Sequence, residues 1–184
     1  MYEFMNGFYE MFGKENIFCK ATIDQINQLK ALWGDNVYKI IELYTNYQPN
    51  NMPMLESYVQ LLGIDSIIDE NTIAEPGKYL AQFRVYPFAL TVGGNLLCID
   101  TNECHNGDAD VLIVDSNFCS YNKNYDCIEI GIIPNDIAND FSSEKIIKLN
   151  YENICKYVHK VEESFILFMY KLSRNEYDDI EDFL

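Results

Sequence analysis

The sequence is poor in basic residues, and this scarcity bears on the kind of partner it can bind. Lysine and arginine total 13 against 29 aspartates and glutamates, which gives 184 residues a formal net charge of −16. That charge repels phosphates and anionic lipid headgroups, so we predict neither a nucleic-acid nor a membrane partner. It attracts a basic protein and speeds encounter with it, although an acidic excess also serves plain solubility.

Long apolar runs and secretion signals are also missing. No apolar run approaches the ~18 residues that cross a bilayer. The first residues lack the basic and apolar regions of a secretory signal, and no Asn-x-Ser/Thr acceptor occurs. The six cysteines are even in number, but a chain of this size does not depend on disulfides. We therefore expect a cytoplasmic protein whose cysteines are reduced and mostly buried.

Apolar residues are plentiful enough for a folded core. Hydrophobic residues make up 48% of the chain and aromatic residues 14%, so burial can offset the entropy of folding. Repeats, low-complexity tracts and linkers are absent from the sequence. We predict a single domain over 1–184, with an extra helical segment over about 1–20 and an acidic tail over about 175–184 that could fray.

Helical spacing of apolar residues dominates the first fifty positions. A short leading helix is predicted before Gly13, which would end it. Thr22 is placed to cap a second helix that ends at Gly34. Asp35 is placed to cap a third helix, which Pro49 closes.

The clearest pattern is a hairpin, in which the apolar strands 86–92 and 95–100 flank Gly93-Gly94. A two-residue primed turn needs positive φ at both central positions, which glycines tolerate. Neither face of the two strands is polar, so we expect both faces to be covered. Alternation across the turn predicts one shared face for Phe88, Leu90, Val92, Leu97 and Ile99.

Further elements complete an α+β domain, with a central, mainly antiparallel sheet flanked by N-terminal helices and a C-terminal helix. The predicted elements are a strand at 58–62, a short helix or turn at 65–73, and strands at 111–114 and 127–133. Helical spacing then runs from 154 to 172. This stretch is either one helix or two, with Ser164 capping the second.

Residues typical of catalysis are scarce, since the sequence holds two histidines. Cys155 and His159 would share one face of a continuous helix, which is compatible with a nucleophile pair or with core packing. Cys98, Cys104, His105, Cys119 and Cys127 lack the paired short spacings of structural zinc sites. Asp108-Ala109-Asp110 offers two carboxylates, too few for an oxygen-ligand site. We predict no catalytic residue, no metal and no cofactor.

Carboxylates are concentrated in one basic-free stretch between Arg84 and Lys123. If strand 111–114 pairs beside the hairpin, these carboxylates collect near strand ends and one loop, where they form either a partner-binding edge or an ordinary solvated loop. The candidate acidic edge consists of Asp100, Glu103, Asp108, Asp110 and Asp115, while Gly93 and Gly94 serve the turn.

The order of these elements resembles the SUKH superfamily, which includes the yeast cell-wall synthesis regulator and bacterial immunity proteins. The segments that carry the resemblance are Tyr86–Ala89, Gly93–Asp100, Val111–Asp115, Asn36–Ile41 and Glu162–Phe168. Three departures bear on the subfamily. The proline expected before the second family helix is absent, and Tyr47-Gln48-Pro49 replaces the usual Asn-Gly-Gly. The loop over 116–150 is also longer than is typical of the family.

The resemblance implies a non-catalytic binding module. Bacterial members neutralise toxins, often nucleases or deaminases, and a basic nuclease toxin would suit a chain of this charge. Two alternatives remain, a regulatory scaffold of the yeast type and a small enzyme that uses Cys155 with His159 or a metal at Cys104 and His105.

Overall fold

The fold is built on one five-stranded antiparallel sheet, as the α+β prediction requires. The computed structural model describes residues 3–13, 16–51, 53–131 and 146–184. The strands are β3 (Val59–Leu61), β4 (Val85–Thr91), β5 (Leu96–His105), β6 (Asp108–Val114) and β9 (His159–Glu162). They lie side by side in that order, and every neighbouring pair is antiparallel. The chain therefore runs in sequence across the first four strands and returns to β9 from a distance.

Helices cover the sheet, and short ribbons lie beside it. The helices are α1 (Met5–Phe12), α2 (Ile23–Trp33), α3 (Tyr38–Tyr47), α4 (Ile64–Thr72), α5 (Gly77–Leu80), α6 (Tyr151–Tyr157) and α7 (Phe165–Leu172). The short strands are β1 (Phe18–Cys19), β2 (Gln48–Pro49), β7 (Cys119–Asn122) and β8 (Cys127–Ile130), paired β1 with β2 and β7 with β8. In the described residues no helix is long and apolar enough to span a bilayer.

The N-terminal helices begin and end largely where local signals predict. The Thr22 hydroxyl accepts from the Gln25 backbone at 3.2 Å, while the Gln25 side chain accepts from the Thr22 backbone at 3.0 Å. This reciprocal capping box satisfies two donors that a helix start leaves unpaired. Gly13 ends α1 and Gly34 ends α2. Asp35, however, begins a 3₁₀ turn (Asp35–Val37) and does not cap α3.

Both faces of the central strands are buried, as predicted. One face packs on α1, α2, α3, α4 and α7 through a cluster that includes Phe88 and Ile99. The Phe88 ring meets those of Phe165 and Phe168 edge-to-face, with centroids 4.9 and 5.8 Å away. The opposite face, which includes Cys98, packs on α5, α6 and the β7–β8 ribbon. The sheet is therefore the middle layer of three.

The predicted pairing of hairpin side chains is wrong in one respect. The register of β4 and β5 shifts between Pro87 and Ala89, so Ala89 lies opposite Leu97 and Leu90 opposite Leu96. A bulge inserts one residue and reverses which side chains share a face. Ala89 therefore joins Leu97 in the larger cluster. Val92, expected on that face, is exposed instead.

The turn between β4 and β5 also differs from the two-residue primed form. The connection runs from Val92 to Asn95, and the Gly94 amide donates to the Thr91 carbonyl at 3.0 Å. Gly94 adopts a positive φ of 82°, whereas Gly93 does not. Gly93 has a different requirement, because a Cβ there would lie 2.4 Å from the Glu181 carboxylate.

The C-terminal third divides into two helices rather than one. Helix α6 ends at Tyr157, the edge strand β9 follows, and α7 begins after Ser164. The Ser164 hydroxyl accepts from the Leu167 amide at 3.0 Å, which makes it the predicted cap. Strand β9 was not predicted. Strand β6 begins earlier than expected, at Asp108, and of the strand predicted over 127–133 the final two residues lie outside the described residues.

The acidic segment over 175–184, for which the sequence left fraying open, is docked on the domain. Tyr177 and Ile180 are buried in the larger cluster. The Glu181 carboxylate accepts hydrogen bonds from the Thr91 hydroxyl, from the Gly93 amide at 3.0 Å and from the Asn95 side chain at 2.9 Å. One side chain thus fastens the end of the chain to the hairpin turn.

A double-mutant cycle tests this contact. Gly93→Ala should lower the free energy of unfolding by about 1–2 kcal/mol, because the new methyl displaces the Glu181 carboxylate. In a Glu181→Ala background the same change should cost clearly less. Urea unfolding measures all four proteins. Gly94→Ala is the control, since its Cβ meets nothing within 4 Å and its cost arises from backbone strain alone. Equal costs of Gly93→Ala in both backgrounds would contradict the contact.

The same carboxylate predicts an acid-sensitive component of stability. Hydrogen bonds from Thr91, Gly93 and Asn95 hold the pKa of Glu181 below its ordinary value of 4.5. A lowered pKa contributes stability above the unfolded-state pKa, and this is lost as the pH falls through the folded-state pKa. The free energy of unfolding of the wild type should exceed that of Glu181→Gln by about 1 kcal/mol at pH 7. This difference should shrink below pH 4.5. Asp182→Asn, at an exposed neighbour, is the control and should change the free energy of unfolding at pH 7 by less than about 0.5 kcal/mol in urea titrations.

Candidate functional site

The five carboxylates of the predicted acidic edge do not form one exposed edge. Asp100 and Asp110 are buried, Asp108 and Asp115 are half-buried, and Glu103 is exposed. Asp108 and Asp115 lie at opposite ends of β6, a strand that advances about 20 Å over that many residues. The stretch without lysine or arginine therefore contributes carboxylates to the interior and to both ends of the sheet.

Asp100 and Asp110 lie directly opposite each other on β5 and β6. Residues opposite each other on paired strands project to the same face, where like charges are unfavourable. Each carboxylate has its own compensation. Asp100 accepts from the Tyr151 hydroxyl at 2.7 Å and from the backbone and side-chain amides of Asn102 at 2.9 Å. Asp110 forms an ion pair with Lys160 of β9.

Tyr151 and Lys160, the partners of these two carboxylates, are held in their protonated forms. Burial, and the hydrogen bond to Asp100, raise the pKa of the Tyr151 hydroxyl, which keeps it a donor. Hydrogen bonding to Asp110 raises the pKa of Lys160, which keeps it a cation. Both carboxylates are buried and paired within the chain, so they belong to the fold rather than to an exposed edge.

The other three carboxylates have distinct surroundings. Asp108 accepts from the Ser164 hydroxyl at 2.5 Å and from the Ile166 amide at 3.4 Å, so it helps to fix the start of α7. Asp115 accepts from the Asn117 amide at 2.7 Å in the turn after β6. Glu103 lies where the register of β5 and β6 shifts. Of the five, Glu103 is the one that is fully available to a partner.

The cysteine and histidine pairs are separated or incomplete. His159 lies in β9 rather than in the helix of Cys155, so the two do not share a helical face. Cys104 and His105 are adjacent at the end of β5. Searched over the described ranges alone, the histidine, cysteine and carboxylate side chains form no cluster of three that could hold a metal.

All six cysteines lie within the described residues as free thiols, but only two are buried, which corrects the expectation that most would be. Burial raises the pKa of Cys119 to about 12 and also raises that of Cys98. The pKa of Cys104 is raised as well, chiefly by burial. A thiol with a raised pKa stays protonated at neutral pH and is a poor nucleophile.

A wide groove of about 860 Å³ lies between α1 and the residues that follow α7. Its lining includes Glu3, Glu10, Glu176 and Arg174, and the Arg174 guanidinium stacks 4.6 Å from the Tyr170 ring centre. The groove is shallow and mainly polar, unlike the enclosed apolar pockets that hold small molecules.

Sequence reasoning missed the contact between the 175–184 segment and the hairpin turn. The acidic residues of this segment suggested a solvated tail. The available signal was the pair of apolar residues among them, Tyr177 and Ile180, both of which are buried.

Comparisons with protein-family models, with curated proteins and with solved structures found no match to this chain. The resemblance to the SUKH superfamily therefore stays a prediction.

Substitution of the acidic residues should separate the structural carboxylates from the available one. Asp100→Asn should lower the free energy of unfolding by about 2 kcal/mol, because an amide cannot accept all the hydrogen bonds now made to the carboxylate. Asp110→Ala should cost a similar amount, since it leaves Lys160 without its buried partner. Glu103→Gln is the matched control and should change stability by less than about 0.5 kcal/mol. Urea unfolding in which Glu103→Gln is as costly as Asp100→Asn would contradict these roles.

Proposed function

We propose that this chain is a cytoplasmic, non-catalytic protein-binding domain of the SUKH type, an immunity protein that neutralises a cognate basic toxin. A nuclease-type toxin suits the proposal best, because such enzymes carry positive charge to bind phosphates. The proposal requires neither a cofactor nor a metal. It rests on the charge of the surface, on the order of the elements and on the state of the cysteines.

The observation that carries the proposal is uncompensated negative charge. Aspartates and glutamates exceed lysines and arginines by 16, so at least 16 carboxylates have no basic side chain of this chain to pair with. Ion pairs between described residues include Lys78–Glu75, Lys160–Asp110 and Lys171–Glu162. Most carboxylates are thus unneutralised from within. A surface of this kind steers a cationic protein towards it and accelerates association.

The element order supports the SUKH part of the proposal. Two helices, a short strand, an acidic helix, the β4–β5 hairpin, a third strand and a closing helix follow one another, as the resemblance implies. Between β6 and α7 the chain adds the β7–β8 ribbon, which lies within the 116–150 segment noted above as longer than is typical, and then α6 and β9. The motif that resembles the closing helix of the family, Ser164 to Phe168, begins α7 and packs on Phe88.

The non-catalytic part of the proposal is supported by the chemistry of the candidate nucleophiles. The thiols of Cys98, Cys104 and Cys119 are held protonated, and Cys155 does not share a helical face with His159. Neither arrangement activates a thiolate, which is the reactive form of cysteine.

Mixing the purified protein with the toxin encoded beside its gene tests the function. We expect a stable complex, loss of toxin activity, and a Kd that rises at least tenfold between about 50 and 500 mM salt, mainly through slower association. Calorimetry and stopped-flow fluorescence measure the two quantities. No complex together with undiminished toxin activity would refute the proposal, whereas recovery of only kinases or cell-wall synthases in pull-downs would favour the scaffold alternative.

A further inference from the structure

Three chain segments meet at the turn end of the β4–β5 hairpin. The Val92 amide donates to the Tyr58 carbonyl at 3.0 Å, and the Ile180 amide donates to the Ser57 carbonyl at 3.4 Å. The Gly93 amide donates to Glu181 at 3.0 Å. We call the exposed side chains of residues 56–58, 92–94 and 176–183 the hairpin-tip surface. Because hydrogen bonds join all three segments, this surface is pre-organised rather than assembled on binding.

Large apolar side chains are exposed on the hairpin-tip surface. Val92 is 61% exposed, Tyr58 46% and Phe183 38%. The Phe183 ring lies 6.2 Å from that of Tyr177, edge-to-face, which fixes its position. Single exposed apolar residues are ordinary, but several at the meeting point of separate segments are typical of a surface that contacts another molecule.

The rim of the same surface is acidic. Glu56, Glu176, Asp178 and Asp182 are exposed there, and the sequence has no lysine or arginine over 175–184. No ion pair neutralises any of these four carboxylates within the described ranges. Apolar anchors within a charged rim match the layout of protein interfaces, in which buried anchors supply affinity and the rim supplies steering.

We propose that the hairpin-tip surface is where this protein holds its basic protein partner, through an apolar side chain of the partner that is flanked by lysine or arginine. The inference rests on the proposed function and adds the location of the contact. Charge complementarity decides the class of occupant. Two copies of this acidic surface repel each other, as do anionic membranes and nucleic acids.

One exposed apolar residue and one exposed acidic residue elsewhere on the protein provide matched controls. Ile23 is 77% exposed at the start of α2. Its helix contacts α4, which follows the other end of β3, because the Gln25 side chain donates to Asp65 at 2.9 Å. Asp24 is an exposed acidic residue beside it. Substitutions at these two positions remove the same chemistry from a remote surface.

The test measures the Kd of variants for the toxin encoded beside the gene. Tyr58→Asn with Val92→Ser removes two anchors, and asparagine tolerates the positive φ of 61° at position 58. We expect Kd to rise at least tenfold. Asp178→Asn with Asp182→Asn should slow association severalfold and leave dissociation nearly unchanged. Ile23→Ser with Asp24→Asn should change Kd by less than about twofold.

Hydrogen exchange of the wild-type complex gives a reading that does not depend on how the variants fold. Protection on binding should fall on 56–58, 92–94 and 176–183. If the anchor variant binds with the Kd of the wild type, or if protection appears elsewhere, the assignment of the hairpin-tip surface is wrong while the proposed function stands. The assignment is also wrong if the free protein sediments as a dimer and the anchor substitutions make it a monomer. Absence of any complex with the wild type would instead refute the proposed function, and the inference with it.

Discussion

The structure depends on burial of both faces of the three central strands. Strands β4, β5 and β6 carry apolar side chains on each side, so a single covering layer would leave one side in water. The N-terminal helices and α7 cover one face, where the Phe88 ring contacts the rings of Phe165 and Phe168. The second face needs its own cover, which α5, α6 and the β7–β8 ribbon provide. Much of the long connection between β6 and α7 is thereby explained as the second layer of the core.

Burial of the sheet also decides what the acidic residues do. A carboxylate that follows an apolar strand is drawn into the structure with it, and it then needs a partner of its own. Asp100 accepts hydrogen bonds from Tyr151 and Asn102, while Asp110 forms an ion pair with Lys160 of the edge strand. Density of acidic residues along the sequence is therefore a poor guide to negative charge on the surface. The carboxylates that stay in solvent come largely from segments outside the sheet, including 175–184.

The features that the sequence predicts correctly depend on residues close together in the chain. The features that it fails to predict depend mostly on contacts between distant residues. Thr22 and Ser164 cap helices because a hydroxyl reaches amides three positions ahead. Strand β9, His-Lys-Val-Glu, has one buried apolar residue and carries no strand signal; it forms because β6 offers it an unpaired edge. The bulge at Pro87–Ala89 follows from proline, which lacks a donor for the ladder. The docking of Glu181 joins residues 88 positions apart, beyond any local pattern.

Tyr58 connects the demands of the fold with those of the surface. Its φ of 61° is unusual for a bulky residue and carries a conformational cost. Such a conformation persists only where the surroundings over-determine it, and here they do: the Tyr58 amide donates to Leu55, the Leu55 amide donates to Val59, and the Tyr58 carbonyl accepts from Val92. These bonds hold a tight turn immediately before β3 and leave the aromatic ring in solvent beside the hairpin. If the Tyr58 ring were needed for packing in the core, it would point into the interior. Its outward position follows from a backbone that the sheet edge holds in place.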